Sequence, residues 1–135
     1  MYSKSKKFII LILVAFCVFA LCGCKSKGLD IVFEDSYTSD YEVAGDKVHI
    51  NCKIVISNSN EEAKRITIKG YSERDFTSGL LKNPYIFGYD KDLNSDVFEV
   101  LPGENVLEVT FLGDFGGSNQ KSDMELPLVT ISVVK

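Results

Sequence analysis

The chain is poor in the residues that mark most chemistries. It has no Trp, one His, 3 Pro and 4 Cys among 135 residues. A single His leaves a catalytic zinc site without an obvious ligand set. No Ser stands in the Gly-x-Ser-x-Gly arrangement of a nucleophile elbow, and no acid and base pair is visible among the carboxylates. Scarce Pro, 10 Gly and no repeated block argue against collagen-like, low-complexity and solenoid architectures. A formal charge of −4 disfavours a nucleic-acid binder, which needs a basic surface for phosphates. What remains, 45% hydrophobic, 25% charged and 11% aromatic residues, fits one globular domain.

The long apolar run lies at the start. Lys4, Lys6 and Lys7 precede an uncharged stretch from Phe8 to Leu21, followed by Cys22-Gly23-Cys24. Positive, then apolar, then small is the order of a secretory signal. As a helix the stretch would span about 21 Å, against a hydrocarbon core of roughly 30 Å, so a permanent transmembrane helix is the runner-up.

Leu21-Cys22-Gly23-Cys24 resembles the lipobox of bacterial lipoprotein precursors. The resemblance implies cleavage between Gly23 and Cys24 and a diacylglyceryl anchor on the Cys24 thiol, with no other cofactor. Residues 1–23 are then a signal peptide, 24–28 a lipidated N-terminus and short tether, and 29–135 the folded domain. Two acyl chains anchor stably where one holds only marginally. About five residues of tether reach at most ~18 Å, which keeps the domain near its membrane. Removing residues 1–23 from the 135 leaves 112, with 12 basic and 19 acidic side chains and a net charge of −7. Lys25 and Lys27 lie beside the anchor, where anionic headgroups attract them.

Cys17 and Cys22 leave with the signal and Cys24 carries lipid, so Cys52 has no intramolecular partner. It shares an alternating series with Val48, Ile50 and Ile54, which predicts a buried, inert thiol. His49 falls on the opposite face.

The rest reads as all-β. Residues alternating with period two mark about seven strands: Leu29 to Phe33, Val48 to Ile56, Ile66 and Ile68, Tyr85 to Tyr89, Phe98 and Val100, Leu107 to Phe111, and Val129 to Val133. No long 3.6-residue period occurs, and Ser72 to Leu81 offers one short helical turn at most. Two packed antiparallel sheets, in an immunoglobulin-like β-sandwich, are the expected architecture. Leu101-Pro102-Gly103-Glu104-Asn105 supplies a type II turn between strands, read as a hairpin. This turn resembles the Pro-Gly-Glu turn of many bacterial immunoglobulin-like extracellular domains. The stretch Phe111 to Gly117 with Lys121, Leu126-Pro127 and Ile131 resembles the C-terminal pattern of small lipoproteins from Gram-positive bacteria, a likeness that carries fold and address and no activity.

Two candidate sites follow. Asp90, Asp92, Asn94 and Asp96 recur every second position like half a calcium loop, but Ser95 and Leu101 stand where Gly and a bidentate Glu are needed, which favours a solvated hairpin loop. The loops from Glu73 to Pro84 and from Gly113 to Pro127 carry Phe76, Leu80, Leu81, Phe115 and Met124, either as recognition residues or as plugs for the sandwich ends. Asp114-Phe115-Gly116 matches a kinase metal-binding tripeptide by coincidence, with far too little chain around it.

The expected function is a non-catalytic, lipid-anchored binding or accessory module on the extracytoplasmic face of the cell membrane. Its partners would be membrane lipid through the anchor and a membrane-proximal protein or envelope component, not nucleic acid. The alternatives are an envelope enzyme, or an inhibitor of one, and a calcium or small-ligand sensor.

Overall fold

A computed structural model describes residues 27–118 and 120–135. The signal segment, the Leu21–Cys24 motif and Lys25 lie outside the described residues. Among the described residues no helix is long and apolar enough to cross a membrane.

The fold is all-β. Eight strands pair antiparallel throughout and form one sheet curled over a common core, giving a sandwich-like body. The first layer is built on β3 (Lys47–Asn58), the longest unbroken alternation in the sequence. β1 (Leu29–Ile31) and β2 (Tyr37–Ala44) follow one another along one edge of β3. The other edge pairs over its whole length with β7 (Gly103–Asp114), Lys47 facing Asp114 and Asn58 facing Gly103. The second layer is built on β4 (Lys64–Tyr71), flanked by β8 (Leu128–Val133) on one edge and by β5 (Tyr85–Tyr89) and β6 (Val97–Val100) on the other. The two expected layers are therefore present, but β5 joins them. Its first residues pair with β4 and its last with β7, and Phe87 faces both Lys69 and Leu112.

The inward faces make one core: Val48, Ile50, Ile54 and Ile56 from β3, Val109 and Phe111 from β7, Ile66 and Ile68 from β4, Ile86, Val100, and Val129 with Ile131 from β8. Cys52 belongs to it at 4% exposure, and its thiol is pushed up to about 11 by burial, against the lowering effect of its contact with the Thr38 hydroxyl. The sheet curls where the layers are pinched together. A Cβ on Gly88 would stand 2.9 Å from Val109 Cγ1 and 3.0 Å from the Ile68 carbonyl oxygen. Equivalent atoms on Gly70 and Gly113 would come within 2.9 and 2.8 Å of the Ile86 side chain. These positions lack a side chain because neighbouring strands occupy the space.

Several sequence expectations need correction. β2 is an eighth strand beyond the seven expected: none of its eight residues is fully buried and only Tyr41 packs against the core, so it shows no apolar alternation. Its register shifts between Thr38 and Asp40, which interrupts any pattern further. Phe33 lies in a 3-10 turn (Phe33–Asp35) at 52% exposure rather than in a strand. Neither expected hairpin is one. β6 pairs with β4 and β7 pairs with β3 and β5, so Leu101–Asn105 is a corner that carries the chain between layers. Gly103 has the positive φ of +97° expected of the turn, and the Asn105 side chain fastens it by accepting from the Leu101 N–H and donating to the Leu101 and Gly103 carbonyls. Likewise β5 and β6 lie in sequence along the same edge of β4, and residues 90–96 are an excursion from that broken strand.

Candidate functional site: an aromatic groove on the outer face

Strand geometry sends alternate side chains to opposite faces, and β5 has Ile86 and Gly88 inside. Tyr85, Phe87 and Tyr89, read from the sequence as the marker of a half-buried strand, therefore project outward. Tyr85 is 53% and Phe87 50% exposed. The sequence does not show which face is inward, because Gly88, pressed against Val109 and Ile68, carries no apolar signal, while the larger aromatic series does. The signal available in the sequence was the pair of tyrosine hydroxyls, which favour water unless a buried partner is supplied.

Neighbouring strands complete the surface. Across β4, the Tyr71 and Tyr85 rings meet edge to face, centroids 5.2 Å apart and planes at 66°. Lys69 Nζ lies 5.5 Å from the Phe87 ring centroid, in cation–π range. Across β7, Leu112 lies beside Phe87, and beyond it Lys47 donates to the Asp114 carboxylate. This exposed ion pair raises the Lys47 pKa and lowers that of Asp114, in both cases chiefly through the hydrogen bond. The result is an open groove of about 640 Å³ lined by Lys47, Lys69, Asn83, Tyr85, Phe87 and Tyr89 together with the end of β7. It offers flat apolar ring faces, phenol hydroxyls and an ammonium held over an aromatic ring, groups that can stack, hydrogen-bond and pair with an anion.

A second groove of about 610 Å³ crosses the outer face of β2, β3 and β7. It has one aromatic, Tyr37, with Lys53 Nζ 5.8 Å from the ring centroid, and its Lys91 pairs with Glu108 at 3.8 Å. With fewer rings and compensated charge it is the poorer candidate.

The residues singled out from the sequence are dispersed. Leu80 and Leu81 are each 1% exposed and close the end of the core; Leu81 bridges to Phe115, which is half-buried against the same cluster. Phe76 and Met124 remain at the surface, at 43% and 37% exposure. The segment after β7 is fastened along its length. The Ser122 hydroxyl donates to Asp75 Oδ2 at 3.1 Å, as does that of Ser72, the residue before the short helix α1 (Glu73–Thr77), so the buried Asp75 carboxylate has two hydroxyl partners. Arg74 pairs with Glu125 at 3.0 Å, and the Thr38 hydroxyl donates to the Glu125 carbonyl. A long loop tied at these points is packing structure first.

In the acidic excursion Asp90 Oδ1 accepts the Asn94 N–H at 2.8 Å, and Leu93 takes a positive φ of 59° to close the turn. Among the described residues no three or more His, Cys, Asp or Glu side chains are grouped to hold a metal ion. His49 is on the outward series of β3, away from Cys52. No family model matches this chain, and no curated protein or solved structure is detectably similar to it.

Proposed function

We propose that this protein is a lipid-anchored, extracytoplasmic, non-catalytic binding module that meets its partner through the aromatic groove of β5. The observation that carries the reading is the outward row of Tyr85, Phe87 and half-buried Tyr89, the first two exposed although burying such a ring is worth on the order of 1.5–3 kcal/mol. Exposed aromatics are enriched at contact surfaces, where ring area is presented at little entropic cost. Lys69 rests over a ring rather than beside a carboxylate, so the partner is expected to bring flat apolar surface together with an anionic group. The Leu21–Cys24 motif supports the address: a Cys24 anchor with a short tether holds the groove close to the membrane.

Two variants test the halves of the reading separately. Cys24→Ser should leave the chain unanchored and move it from the membrane to the soluble fraction. That released form should still bind isolated envelope material saturably, and Tyr85→Ala with Phe87→Ala should weaken the binding by about tenfold or more, equivalent to ~1.4 kcal/mol, while the domain stays folded, its melting temperature lower only by the few degrees that the lost Tyr71–Tyr85 and Lys69–Phe87 contacts account for. Persistence of a fully processed Cys24→Ser chain in the membrane refutes the anchor; unchanged binding by the double variant refutes the groove.

A further inference from the structure

We infer that β8 is a self-pairing edge, through which two copies of this chain join their sheets antiparallel about a twofold axis at Ile131. β8 pairs with β4 on one side only, with Ile66 facing Val133, Ile68 facing Ile131 and Gly70 facing Val129. The Val134 N–H donates to the Arg65 carbonyl at 2.8 Å, which sets the alternation. Residues 128, 130, 132 and 134 spend their backbone groups on β4, and Val129, Ile131 and Val133 turn theirs to the open side. Open backbone groups on a regular edge are a template for another strand.

The occupant follows from contrast with the opposite edge of the sheet. β2 carries Asp40 and Glu42 and a register shift at Ser39, the devices by which natural edges refuse a partner. β8 has neither: residues 128–134 read Leu-Val-Thr-Ile-Ser-Val-Val, without charge, proline or bulge. Laid antiparallel on itself about Ile131, this edge is self-complementary. Val129 meets Val133 of the second copy in a hydrogen-bonded pair, Thr130 meets Ser132 of the second copy, and Leu128, 67% exposed, meets Val134 of the second copy. Lys135 of each copy falls opposite Pro127 of the other, so no like charges face one another. A segment of a different protein would gain nothing from this symmetry. Because a twofold pair consumes the β8 edge of both copies, assembly through this edge stops at a closed pair. The inference is independent of the groove.

The test uses full-length chains with two different tags, co-expressed in one membrane and co-purified after detergent extraction. Wild-type chains should co-purify. Thr130→Glu with Ser132→Glu sets carboxylates opposite one another across the axis and should reduce co-purification by about tenfold or more. Thr130→Glu with Ser132→Lys sets opposite charges in the same places and should restore it. Chains carrying Thr130→Cys and Ser132→Cys should form a mixed disulfide on mild oxidation, whereas Thr130→Cys alone should not, since its diagonal spacing of roughly 7–8 Å exceeds disulfide reach. Failure of wild-type chains to co-purify, equal recovery of the Glu/Glu and Glu/Lys variants, or cross-linking indifferent to position would overturn the inference.

Discussion

Gly88→Ala tests the packing that turns the aromatic row outward. At an unobstructed strand position this exchange stabilises by roughly 0.4–1 kcal/mol, because Gly loses more chain entropy on folding. Here the new Cβ would sit 2.9 Å from Val109 Cγ1, 3.0 Å from the Ile68 carbonyl oxygen and 3.2 Å from Ile68 Cβ. One neighbour is backbone and another is a β-branched side chain fixed in the core, so little can yield. The overpacking cost is about 1–3 kcal/mol, which reverses the usual sign. For a domain of this size it corresponds to a melting temperature lower by about 4–12 °C. The assay is thermal unfolding of the Cys24→Ser form followed by far-UV circular dichroism, with and without Val109→Ala. Removing Val109 Cγ1 relieves the closest contact, so the cost of Gly88→Ala should shrink by on the order of 1 kcal/mol in that background. A Gly88→Ala protein as stable as wild type, or more so, would refute the pinched-layer explanation.

Other expectations follow from single contacts. Cys52 in the native domain should resist alkylation at pH 8 and react on unfolding. Because burial raises its folded pKa to about 11 from 9.0, its contribution is fully present below pH 9 and is lost as pH rises toward 11, about 3 kcal/mol in all; flat urea-unfolding stability over that window would contradict the burial. Ser122→Ala should cost about 1–3 kcal/mol by leaving buried Asp75 with Ser72 as its one hydroxyl partner, and limited proteolysis should then cut within residues 115–127. Asn105→Ala should cost about 1–2 kcal/mol by freeing the Leu101–Asn105 corner, read as a lower denaturation midpoint with unchanged slope. Calcium at millimolar concentration should leave the melting temperature unchanged, since the Asp90 carboxylate already closes its own turn.

Much of the architecture is legible in the residue pattern, because burial on one face of a strand writes itself as alternation. Val48, Ile50, Cys52, Ile54 and Ile56 on β3 and Val129 with Ile131 on β8 are in the core as their spacing predicts. Two features escape that rule. β2 is held by backbone pairing to β3 and buries no residue fully, only Tyr41 leaning on the core, so its sequence records no clear face. β5 records a face and the wrong one stands out: Gly88 is inside because nothing larger fits, leaving the aromatic series to look like the buried one. The candidate site is hidden by the same inversion, since the rings that define it read as markers of a half-buried strand and not as a surface. The loop residues Leu80 and Leu81 illustrate the converse, apolar side chains in a connecting segment that are drawn inward to seal the end of the sandwich.

The most direct test of the groove as the contact surface is site-specific photo-cross-linking in intact cells, with a photoreactive phenylalanine analogue replacing Phe87 in one strain and Val106 in another. Both side chains are exposed, at 50% and 55%, but Val106 borders the second groove, on the other side of β7's pairing with β5. The account predicts a discrete adduct from position 87 that is absent from position 106 and lost when Tyr85→Ala is added. No adduct at 87, or the same adducts from both positions, would contradict it.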